Sequence, residues 1–113
     1  MTDKDLIFEV KLIRARELRR FDMNPKDQCG LVCTRVLLNL GDAFKMKIVS
    51  CEVMNKWHHW VLLHPDGRII DPTASQFNNL TGKNMPDIYF GAPPDWYSFN
   101  ERFWEYVRKL ENG

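Results

Sequence analysis

Apolar residues recur three and four positions apart at Leu6, Ile7, Val10 and Ile13, and less regularly at Leu18, the spacing of one helical face. The pattern predicts a helix from Thr2 to about Arg20. Thr2 suits its cap, and Asp3 and Asp5 suit its positive end. Lys11, Arg14, Arg16, Arg19 and Arg20 crowd the second half and read as a solvated face with favourable charge at a helix C-terminus. A connector carrying Asn24-Pro25 follows. Val32, Cys33, Val36, Leu37 and Leu40 then share one face of a second helix, from about Gln28 to Leu40, with Gly41 as its stop.

Beyond Gly41 the period changes. Phe44 to Val53 is rich in β-favouring residues and reads as a strand. Trp57 to Leu63 and Arg68 to Asp71 read as a hairpin around the turn His64-Pro65-Asp66-Gly67. From Pro72 to Asp95 periodicity is lost, and the pattern predicts an ordered loop with a short strand near Ile88-Tyr89-Phe90. Ser98 and Glu101 have capping-box spacing. They predict a last helix to about Leu110, with Phe103, Val107 and Leu110 inward.

At 113 residues the chain is expected to form one domain, 1–113, with a core large enough to need no staples. A net charge of +1 gives no reason to expect nucleic acid or an anionic membrane as partner. No apolar run approaches the roughly 18 residues of a membrane span. The polar start, Met1 to Asp5, does not read as a secretory signal. Three cysteines, an odd number, argue against a disulfide framework and for a cytoplasmic setting with reduced thiols. No cofactor is expected, and Cys29-x-x-x-Cys33 followed by His58-His59 is not a standard zinc spacing.

The chemistry lies in three places. Cys29, in Asp27-Gln28-Cys29-Gly30, stands at a helix start, where unpaired N–H groups and the positive dipole end favour a thiolate. Asp27 suits the cap, Gly30 allows close approach of a substrate backbone, and the turn's N–H groups suit an oxyanion. His58-His59-Trp60-Val61 supplies a base, and Asp71-Pro72-Thr73 an orienting acid. Strand alternation separates the histidines. If His64 to Gly67 form a four-residue turn, Trp60 pairs with Asp71, and His58 shares the Asp71 face. A shift of one residue would select His59. Cys33 is the alternative nucleophile, although its place on the apolar stripe suits a small buried side chain. Cys51, mid-strand, reads as structural, His64 as a solvated turn residue, and Trp57 and Trp60 as core or cleft-wall residues.

These three elements together resemble the transglutaminase-like branch of the papain-like cysteine enzymes, over about Asp27 to Thr73. That branch has a cysteine at a helix start, a His-x-Trp-Val strand and an Asp-Pro-Thr ending on the next strand. The resemblance implies an α+β fold, a small core in which a cysteine-bearing helix packs on an antiparallel sheet between flanking N- and C-terminal helices, and a triad of Cys29, His58 and Asp71. Gln28, Gly30 and Trp60 would line the site. It also implies acyl chemistry through a thioester: hydrolysis of a peptide or amide, deamidation, or transfer to an amine, on a protein or peptide substrate. The competing expectation is a binding protein that keeps the fold as a scaffold. Its contact face would be the basic end of the first helix or the aromatic tail of Tyr89, Phe90, Trp96, Tyr97 and Trp104.

Overall fold

A computed structural model describes residues 2–20 and 29–112. Helix α1 spans Asp3–Arg20 and α2 spans Cys29–Phe44. Strands β1 (Lys47–Val53), β2 (Trp57–Leu63) and β3 (Ile69–Asp71) follow. A 3-10 turn at Ala74–Phe77 and the one-turn α3 (Asn78–Thr81) lead to β4 (Tyr89–Gly91). The chain closes with β5 (Tyr97–Ser98) and α4 (Glu101–Asn112). The five strands form one antiparallel sheet in the order β4-β3-β2-β1-β5. The class is α+β, with helices at both ends of the chain and the cysteine-bearing α2 against the sheet.

Strand alternation divides the core between the two faces of this sheet. Leu62, Ile70 and Ile48 turn toward α1 and α2, meeting Leu6, Val10 and Ile13 of the first helix and Val32, Val36 and Leu40 of the second. Cys51, Val53, Val61, Leu63 and Ile69 turn the other way, onto Phe77, Tyr97, and Phe103 and Val107 of α4. The sheet is thus the middle of three layers, and a residue's parity on β2 decides which core it joins.

The helix ends follow local chemistry. Thr2 caps α1: its Oγ1 accepts from the Asp5 N–H at 3.2 Å, and Asp5 Oδ2 accepts in return from the Thr2 N–H at 2.9 Å. Gly41 does not stop α2. The helix runs on to Phe44, whose ring packs on the core, and Lys45 takes the left-handed conformation just beyond it (φ 54°). Nor does Ser98 cap the last helix. Ser98 pairs with Glu52 in β5, and Asn100 accepts the Phe103 N–H at 3.0 Å instead. The connector at 21–28, including the expected cap Asp27, lies outside the described residues.

Candidate active site

β2 and β3 are joined by a loop of five residues, not four. The His64 N–H donates to the Arg68 carbonyl at 2.9 Å, and the Gly67 N–H donates to the His64 carbonyl at 3.0 Å. Gly67 supplies the positive φ of 92° that this closure needs. Arg68 therefore belongs to the loop, and pairing begins at Leu63 with Ile69 and Leu62 with Ile70. One step further along this register, Asp71 lies across from Val61 and diagonal to His59. The single extra loop residue reverses the parity expected from a four-residue turn. His59, not His58, shares the Asp71 face.

His59 and Asp71 are both fully buried, and Nε2 of the ring stands 2.7 Å from Asp71 Oδ2. The same oxygen accepts the Tyr97 phenol at 2.5 Å. The other carboxylate oxygen accepts the Thr73 N–H at 3.1 Å. Burial, followed by the Asp71 charge and hydrogen bond, pushes the Tyr97 phenol well above its ordinary range. Since the carboxylate accepts from Nε2–H, Nδ1 carries the lone pair of the neutral ring. The Gln76 amide nitrogen lies 3.1 Å from Nδ1 and donates to Thr73 Oγ1 at 2.9 Å. Phe77 and Tyr97 meet the His59 ring edge-on, with centroids 5.0 and 5.8 Å away. The imidazole is thus held by hydrogen bonds at both nitrogens and by aromatic walls.

The segment after Asp71 is tied down from α1. Arg14 Nε donates to the Pro72 carbonyl at 2.7 Å, and its guanidinium reaches Asp87 at 4.0 Å. Asp87 also accepts the Ser75 hydroxyl at 2.8 Å, and its carbonyl accepts the Ala74 N–H at 3.2 Å. Arg14 is therefore a structural ligand of the loop, not part of a solvated basic face.

The remaining expected residues are dispersed. His58 is exposed on the opposite face of the sheet, across from Glu52 and beside Ser98 and Asn100. Trp60, 44% exposed, walls a groove between β1 and α4. Cys33 is fully buried in the α2 core, and its thiol donates to the Trp60 carbonyl at 3.4 Å. Cys51 is buried directly across from His59. His64 is no freely solvated turn residue: Nδ1 lies 2.9 Å from Asp66 Oδ1, and its ring packs against Phe90. Cys29 and Gly30 open α2, with the Cys29 side chain outside the described residues, as is the whole of Gln28. Tyr97 is 4% exposed, so it serves the core and the carboxylate instead of an aromatic contact face. Neither Tyr97 nor Gln76 has a local sequence signal for its role, because both meet the pair through distant turns of the chain.

Among the described residues no group of three or more His, Cys, Asp or Glu side chains gathers as metal ligands would. No described helix is long and apolar enough to cross a membrane. No protein-family model matches the chain, and neither the search of curated proteins nor that of solved structures found a match.

Proposed function

We propose that the protein is a cysteine-dependent enzyme of acyl transfer, in which Cys29 is the nucleophile, His59 the base and Asp71 the residue that orients the base. The observation that carries the reading is the 2.7 Å His59–Asp71 contact at zero exposure, with Tyr97 and Thr73 completing the carboxylate's partners. A carboxylate on Nε2 fixes the tautomer and puts the lone pair on Nδ1, where it accepts from the Gln76 amide at 3.1 Å; a thiol proton reaches it only when that amide moves aside. The choice of Cys29 rests on its place at the α2 start, where the helix dipole favours a thiolate. Cys33 packs with Leu62 on the face of the sheet opposite the one that carries the His59 ring.

In this reading the Cys29 thiol gives its proton to His59 Nδ1, and the thiolate adds to a peptide or amide carbonyl. The tetrahedral intermediate collapses, the imidazolium returns the proton to the departing amine, and a thioester remains on Cys29. Water or an amine then releases the acyl group. The reaction class is the one the transglutaminase-like resemblance implies, and the reducing, cytoplasmic setting is the one in which such a thiol persists.

The test is alkylation by iodoacetamide as a function of pH, mapped by mass spectrometry in the wild type, His59→Gln and His58→Ala. The expected result is rapid labelling of Cys29 near neutral pH, slowed to the rate of an ordinary thiol by His59→Gln and unchanged by His58→Ala. Equal Cys29 rates in all three folded proteins, at the slow value of a free thiol, would overturn the reading.

A further inference from the structure

β1 is only half covered on its outer side. β5 pairs with it at Glu52 and Val53, and the Met54 N–H continues that line to the Trp96 carbonyl at 2.8 Å. Even-numbered β1 residues therefore aim their main-chain groups outward. β5 then ends, and the chain turns away at Asn100 to cap α4. Ile48 and Ser50 are left with outward N–H and C=O groups that meet no partner among the described residues. An edge of this kind is a template for a further strand.

The uncovered stretch opens into a groove of about 480 Å³ between the β1 edge and α4. Exposed Trp60 forms one apolar wall, and Tyr106 and Phe103 form another. Three exposed cations line it: Lys47, whose ammonium lies 4.1 Å from the Tyr106 ring centroid, Arg102 and Lys109. Glu105 is the acidic residue among the lining side chains. None of the three cations joins an ion pair among the described residues. A second copy offering the same edge would bring the same excess of positive charge to the groove, which disfavours self-pairing.

We infer that this groove binds an extended acidic peptide, which adds to the sheet antiparallel to β1 along the line β5 leaves. Main-chain hydrogen bonds to Ile48 and Ser50 hold the peptide, Trp60 and Tyr106 take its apolar side chains, and Lys47, Arg102 and Lys109 take its carboxylates. The inference is independent of the catalytic reading, since it uses the outer edge of β1 and not the His59–Asp71 pair.

The test titrates isotope-labelled full-length protein with capped peptides of about six residues, a usual strand length, and follows amide hydrogen exchange and chemical shifts. The probes are an alternating Val-Glu peptide, its Val-Lys counterpart, and the Val-Glu peptide with a central proline. The expected result is slowed exchange at the Ile48 and Ser50 amides with the Val-Glu peptide alone. Lys47→Glu with Lys109→Glu should weaken that binding about tenfold and favour the Val-Lys peptide. The inference falls if Ile48 and Ser50 exchange is unchanged at saturating peptide, or if the proline peptide binds equally well. It also falls if those amides are already protected in a dimer seen by sedimentation.

Discussion

Tyr97 donates its phenolic proton to the same Asp71 oxygen that faces the His59 ring, although β5 and β3 are not neighbours in the sheet. Two donors on one buried oxygen, and the Thr73 N–H on the other, replace the water that a carboxylate loses on burial. A carboxylate so placed orients the imidazole with little freedom. The Gln76 amide at Nδ1 holds the ring from its other side.

The two adjacent histidines should therefore differ sharply in their effect on stability. His59→Ala removes one partner of a buried polar pair and opens space between Phe77 and Tyr97. It should cost about 3 kcal/mol. His58→Ala, on an exposed position, should stay within about 0.5 kcal/mol. Urea denaturation midpoints with unchanged slope measure both.

Tyr97→Phe should cost about 1–3 kcal/mol, because Asp71 loses a donor it cannot replace with water. The alkaline limb should change as well. A phenol whose folded value is raised stabilises the fold fully below its ordinary value near 10, and that contribution is lost as pH rises beyond it. Wild-type stability should fall above about pH 10, and the Phe variant should show a shallower fall. Thermal melts across the alkaline range check this, with tyrosinate absorbance reporting ionisation.

In the β2–β3 loop, burial would raise the Asp66 carboxyl, but hydrogen bonds from the Arg68 side chain and backbone outweigh it and hold the group at about 2. A lowered folded value stabilises above the ordinary 3.8 and is lost as pH falls toward 2. Asp66→Asn should therefore lower stability at neutral pH and flatten the acid limb, so that the two chains converge as pH falls toward 2. Acid titration of the melting temperature distinguishes the two chains.

The start of α4 offers a separation of two neighbouring polar residues. Asn100→Ala should cost about 1 kcal/mol through loss of the cap on the Phe103 N–H. Ser98→Ala removes an exposed hydroxyl contact to Asn55 and should cost less than about 0.5 kcal/mol. Chemical denaturation of the two single variants tests the order.

Local pattern determined much of this protein. The stripe of Leu6, Val10 and Ile13, the Thr2 cap, the second helix beginning at Cys29 and the β2–β3 hairpin all express periods and turn chemistry within a few residues of one another. Asp71 as the acid of a histidine pair was also legible, because its strand follows the histidine strand through a short turn. Which histidine it meets was decided by loop closure: Arg68 joining the loop shifts the register by one residue and exchanges the two faces of β2. The roles of Tyr97, Gln76 and Arg14 were likewise decided only in the tertiary structure. Their partners are separated by 26, 17 and 58 positions, far beyond the reach of any helical or strand period. Burial of a carboxylate demands donors, but the fold alone selects which distant side chains supply them.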